Sequence, residues 1–158
     1  MALNLFLPGH ALTPYRMKKH TILLVEDDEL DVISVERSLT KLDIEYELHT
    51  AYNGKEALSM LTDPINAIVP DVILLDLNMP KMNGMEFLKV IRKNDALKDF
   101  KVFIITTSAE IFDRNTTEQL GVSGYIIKPL NQDNTKRADS MDAFIQFHLR
   151  KILTNADS

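Results

Sequence analysis

Four short apolar runs punctuate the chain: Ile22-Leu23-Leu24-Val25, Val72-Ile73-Leu74-Leu75, Val102-Phe103-Ile104-Ile105 and Tyr125-Ile126-Ile127. None of them alternates between apolar and polar residues. Unbroken apolar runs of this length predict strands buried on both faces of a parallel sheet. A fifth stretch, from Tyr46 to Ala51, mixes the two kinds of residue and predicts an edge strand. Between the runs the period changes to three and four. Val32, Val35, Leu39 and Leu42 predict one amphipathic helix. Met141, Phe144, Ile145, His148, Leu149 and Ile152 predict another near the end. Helical patterns also cover residues 55–61, 84–92 and, more weakly, 110–120. A (βα)₅ alternation implies an α/β fold with helices on both faces of a parallel five-stranded sheet. Right-handed crossovers then lead to a doubly wound strand order such as 2-1-3-4-5.

The first twenty residues stand outside this pattern. They carry two prolines and no period, and Met17 is followed by Lys18 and Lys19. We expect residues 1–20 to be a flexible extension, or the true translation start to be Met17. Residues 21–153 are expected to form one domain, followed by a tail at 154–158 too short for an output module. A length of 158 residues suits a single domain.

Charge and composition narrow the class. A net charge of −5 lacks the basic excess of a general nucleic-acid binder. The absence of cysteine excludes disulfides, thiolate catalysis and cysteine-ligated metals. No apolar run approaches a membrane span. The stretch at 2–7 has no preceding positive charge and meets Pro8 and Gly9, a poor signal peptide. The expectation is a cytoplasmic protein without nucleic-acid or membrane partners.

In a doubly wound sheet, chemistry sits at the carboxyl ends of the strands. The first run ends in Glu26-Asp27-Asp28, the second in Asp76, the third in Thr106-Thr107-Ser108 and the fourth in Lys128-Pro129. Carboxylates, hydroxyls and an ammonium therefore meet at one edge. Clustered carboxylates repel each other unless a hard cation neutralises them, and Mg²⁺ suits a few carboxylates and a phosphate oxygen. An aspartate beside Mg²⁺, a lysine and a hydroxyl has what phosphoryl transfer to a carboxylate needs. No glycine-rich phosphate loop precedes any helix, so a P-loop or GxGxxG nucleotide site is unsupported.

Together, Ile22 to Asp28, the motif Leu75-Asp76-Leu77-Asn78-Met79-Pro80 with Gly84, Thr106, and Lys128-Pro129 resemble the receiver domain of bacterial two-component response regulators. Thirty residues separate Asp76 from Thr106, and twenty-two separate Thr106 from Lys128. The resemblance spans residue 21 to about residue 152. It implies a flavodoxin-like fold, with Asp76 as phospho-acceptor. It also implies Asp27 as direct Mg²⁺ ligand, Glu26 as its water-mediated partner, and the Asn78 carbonyl as a third protein ligand. Lys128 would pair with the phosphoryl group, Thr106 would hydrogen-bond it, and Tyr125 would follow Thr106 as an aromatic switch. The bond before Pro129 would be cis. The implied partners are a sensor histidine kinase or histidine phosphotransfer protein and a downstream protein target, and a homodimer is allowed. The protein would be a self-dephosphorylating phospho-acceptor and not an enzyme acting on other substrates. Single-domain receivers paired with bacteriophytochrome kinases share the Thr106-Thr107-Ser108 style and a long last helix. Residues 65–69 read as an insertion away from the site.

Plainer readings cover the remaining residues. Asp28, Glu29 and Asp31 read as acids favoured by a helix N-terminus. The four histidines show no metal-ligand spacing, and Met79, Met82 and Met85 read as packing residues. The segment 110–120 has Ile111, Phe112 and Leu120 as its only large apolar residues, so it is expected to be the mobile part of a switching surface. The alternative function is a Mg²⁺-dependent aspartyl-phosphate phosphohydrolase of haloacid-dehalogenase type. That family needs a second Asp two residues past the nucleophile, where this chain has Asn78.

Overall fold

The computed structural model describes residues 18–106, 114–128 and 141–155. Five strands form one parallel sheet: β1 (His20–Val25), β2 (Tyr46–Ala51), β3 (Val72–Asp76), β4 (Val102–Thr106) and β5 (Gly124–Ile127). Their order is β2-β1-β3-β4-β5, the doubly wound arrangement expected from the pattern. Helices α1 (Glu29–Leu39), α2 (Gly54–Thr62), α3 (Gly84–Lys93) and α4 (Arg114–Gln119) lie between the strands. The C-terminal helix is described from residue 141, passes through a π-helical turn at Ile145–Leu149 and ends as α5 (Arg150–Asn155).

The apolar runs divide their side chains between two cores, as a strand periodicity of two requires. Ile22, Leu24, Val72, Leu74, Phe103 and Ile105 face α1 and the C-terminal helix. Leu23, Val25, Ile73, Leu75, Val102 and Ile104 face the α2–α3 side, where Phe87, Leu88 and Ile91 of α3 cover them. Each such side chain contributes roughly 1.5–3 kcal/mol when fully buried. In the first core Phe103 meets Phe144 edge-on, with centroids 5.4 Å apart at 81°. On the same face of the sheet, Gly124 must lack a Cβ because one would come within 2.8 Å of the Phe103 ring.

Three helices begin on a side-chain cap. Asp28 accepts from the Leu30 and Asp31 amides, Asn53 from Glu56, and Asn83 from Glu86. These caps satisfy helix-end N–H groups that have no partner within the helix. They also fix where each helix departs from its strand end.

Several expectations change at this level. The first strand begins at His20, a buried residue paired with Tyr46, one residue before the point where the apolar pattern begins. Leu42 is buried, but it lies in the turn after α1. The helix expected over 110–120 is described as α4 at Arg114–Gln119, and residues 107–113 lie outside the described set. In the C-terminal helix Met141, Phe144, Ile145 and Leu149 are buried as expected, and His148 is exposed. Ile152 is half-buried against the same core, and Leu153, which the expected face left out, is fully buried. A spacing of four drifts around an α-helix of 3.6 residues per turn. The wider π turn takes up part of that drift and keeps Ile145, Leu149 and Leu153 on one buried face. The loop at 65–69 sits at the amino end of β3, remote from the carboxyl edge, and exposes Ile65 and Val69.

Candidate functional site

The register brings the chemistry-bearing residues together. Val25 lies beside Leu75, Asp76 beside Ile105, and Thr106 beside Ile127. Glu26 and Asp27 therefore follow β1 next to Asp76, the last residue of β3. Thr106 closes β4, and Lys128 follows β5. Two backbone bonds carry the ladder one residue past the strands. The Glu26 amide donates to the Ala51 carbonyl (2.9 Å), and the Lys128 amide donates to the Thr106 carbonyl (2.6 Å).

Carboxylate oxygens of Glu26, Asp27 and Asp76 all lie within 4.8 Å of one another. Glu26 and Asp76 are buried and Asp27 is exposed. Opposite them the Lys128 Nζ donates to Glu26 Oε2 at 2.5 Å and to Asp31 Oδ2 at 2.6 Å. Two backbone amides also point inward: Asp28 N–H to Glu26 Oε1 (3.1 Å) and Asn78 N–H to Asp76 Oδ1 (3.2 Å).

Gly84 closes the loop that follows Asp76. A Cβ there would stand 2.2 Å from the Asp76 carbonyl oxygen, so only glycine lets α3 start this close to the acceptor strand. In the same loop Lys81 adopts a positive φ of 64°, a left-handed conformation that side chains other than glycine's seldom take.

Burial dominates the electrostatics. It pushes the Glu26 carboxyl up to about 8, with Lys128 pulling it down and Asp76 pushing it up further. Burial raises Asp76 as well, and Lys128 opposes the rise. For Lys128, burial alone favours the neutral amine, but the carboxylates of Glu26, Asp76 and Asp31 outweigh it and its value rises. Glu26, Asp31 and Asp76 thus place three buried carboxyl groups around one ammonium. This excess of carboxyl groups, with oxygens of Glu26, Asp27 and Asp76 within 4.8 Å of one another, suits a divalent cation. Glu26, Asp27 and Asp76 are the residues that could hold it.

The structure brings together Glu26, Asp27, Asp76, Asn78, Thr106 and Lys128 at one edge. Thr106 is fully buried. Tyr125 pairs with Ile104 on β5 and packs, half-buried, against the α2–α3 core. Thr107, Ser108 and Pro129, with the bond before it, lie outside the described residues.

Asp31 overturns its expectation. It is no mere helix-dipole acid, because it is buried and paired with Lys128. The signal was available in the helical period. Asp31 stands four and seven residues before Val35 and Ser38, on the face of α1 that turns inward.

A doubly wound sheet with a buried aspartate, an acidic trio, a buried threonine and a lysine at its carboxyl edge defines a carboxylate phospho-acceptor of the signalling kind. The response regulator receiver domain family matches residues 22–138, and the chain belongs to it. Response regulator Rcp1 from Synechocystis sp. is 35% identical over 127 residues, 78% of this chain and 86% of that one. The crystal structure of the Mn(2+)-bound form of Rcp1 superposes with a TM-score of 0.73 at 33% identity, over 81% of this chain and 93% of that one. The phosphorylated cyanobacterial phytochrome response regulator RcpA gives a TM-score of 0.74 at 31% identity, over 85% and 96%. Family membership makes this chain a phospho-acceptor response regulator in two-component signalling, a class phosphorylated by histidine kinases, and sets aside the dehalogenase-type phosphohydrolase. Among the described residues no helix is long and apolar enough to cross a membrane.

Proposed function

We propose that Asp76 is the residue phosphorylated, in a Mg²⁺-dependent transfer from a partner's phosphohistidine. An Asp76 carboxylate oxygen attacks phosphorus, the P–N bond breaks, and the imidazole nitrogen keeps the electron pair. Glu26, Asp27, Asp76 and the Asn78 carbonyl would hold the ion, which supplies charge neutralisation on the phosphoryl oxygens when bound. Lys128 supplies a second positive charge from the β5 side. Thr106 hydrogen-bonds the new phosphoryl group, and Tyr125 follows Thr106 as the aromatic switch. The observation that carries this reading is the burial of Asp76 among convergent carboxylates with Lys128 opposite.

The receiver unit is residues 21–153, extended to include His20, and it works in the cytoplasm. Phosphorylation shifts a population between two conformations and so changes a protein-binding surface. The acyl phosphate is lost again by autodephosphorylation. Similarity to RcpA supports a phytochrome-type kinase as the donor. A homodimer is one form the phosphorylated surface could take.

Incubation with acetyl phosphate and Mg²⁺ should add one phosphoryl mass, labile to hydroxylamine, to the intact protein. Asp76→Asn should abolish the addition. Undiminished labelling of that variant would sink the assignment.

A further inference from the structure

Lys128 makes one contact that the acidic trio does not account for. Its Nζ bridges Glu26 Oε2 and Asp31 Oδ2 at 2.5 and 2.6 Å, and all three residues are buried. The two carboxylates have different duties. Glu26 belongs to the trio whose oxygens converge within 4.8 Å, and Asp31 does not. Asp31 is also fixed from behind, since it sits in the first turn of α1 with its amide on the Asp28 cap (3.4 Å). A carboxylate on the buried face of a helix is costly unless it is paired. Its ammonium partner comes from a position 97 residues away in sequence.

We infer that Asp31 is a positioning residue that holds the Lys128 ammonium in the site independently of the metal-binding carboxylates. The inference rests on the phosphoryl-acceptor reading and adds α1 to its machinery. A lysine ammonium has three donors. With one on Asp31 and one on Glu26, the third is left for a phosphoryl oxygen. Were Glu26 its only anchor, Lys128 would be held solely by a carboxylate that also serves a cation. Asp31 separates the two tasks and ties the segment after β5 to the start of α1.

The test uses the full chain carrying ¹⁵N-labelled lysine, saturated with Mg²⁺, and follows solvent exchange of the Lys128 ammonium by NMR. Wild type should show a protected signal. Asp31→Asn should speed its exchange at least about tenfold, the scale of a lost charge-assisted hydrogen bond, and Asp31→Glu should restore the protection. In a second arm, affinity for the acyl-phosphate mimic beryllium trifluoride is read from the melting shift. It should fall roughly tenfold in Asp31→Asn, yet not fall further when that change is added to Lys128→Ala. Unchanged ammonium exchange in Asp31→Asn, or an equal loss of mimic affinity in both backgrounds, overturns the inference. A wild type that binds no mimic, with ammonium protection still dependent on Asp31, would instead break the phosphoryl-acceptor reading and leave the lysine anchor standing.

Discussion

Asp76 ends an inner strand that is hydrogen-bonded on both sides, whereas Lys128 follows the strand at the edge of the sheet. Every residue of β3 is buried, but Gly124, Tyr125 and Ile126 of β5 are only half-buried. The flanking helices repeat the contrast. Helix α3 covers its strands with Phe87, Leu88 and Ile91, while α4 has the sequence Arg-Asn-Thr-Thr-Glu-Gln and no large apolar residue. The carboxylates are therefore set in a frame stabilised by apolar burial, whereas the lysine, though its own side chain is buried, follows a strand that is only half-buried. A site built this way keeps its nucleophile and cation ligands fixed. On the proposed reading, the responding parts would lie on the α4–β5 side, where movement costs less buried area than in β3 and β4.

The contrast can be broken by stability measurements. Leu74→Ala removes a fully buried inner-strand side chain and should cost about 2–5 kcal/mol in denaturant unfolding. Ile126→Ala, on the half-buried edge strand, should cost clearly less. Equal losses would show that the two halves are equally anchored.

A smaller effect should come from the cation. Mg²⁺ should raise the melting temperature, since a ligand of the folded state alone stabilises it by mass action, about 2.7 kcal/mol at a hundred times Kd. Asp27 is the exposed member of the trio, so Asp27→Ala removes a ligand without opening the core. It should abolish most of the Mg²⁺-dependent rise. A full rise in the variant would place the ion elsewhere.

The most local effect concerns the responding side. Phosphorylation should change amide-exchange protection over residues 114–128. Lys128→Ala and Thr106→Ala should each blunt that change while still accepting phosphate from a small donor. Retention of the full wild-type change in both variants would break the coupling assigned to Thr106, Tyr125 and Lys128.

The sheet and most of the site were legible because their signals are local. A strand buried on both faces must be apolar throughout, so Val72 to Leu75 advertises both its conformation and its central place. Residues ending such runs share one edge by topology, which located Glu26, Asp27, Asp76, Thr106 and Lys128. Asp31 was misread because the helix dipole is a sufficient local reason for an acid in a first turn. Its pairing with Lys128 is tertiary and leaves a trace only in the inward phase of α1. Leu153 was missed because the expected face stops at Ile152, which packs half-buried beside it against the same core. His20 carried no pattern of its own, because one residue at the head of a run has no period to report.

Chemical location of the phosphoryl group tests the central claim most directly. Protein treated with acetyl phosphate and Mg²⁺ is reduced with borohydride, which converts an aspartyl phosphate to its alcohol, and the peptides are then sequenced by mass spectrometry. The account predicts one modified position, Asp76, absent when the divalent cation is chelated. Modification at Asp27, Asp31 or another carboxylate with Asp76 untouched would contradict it.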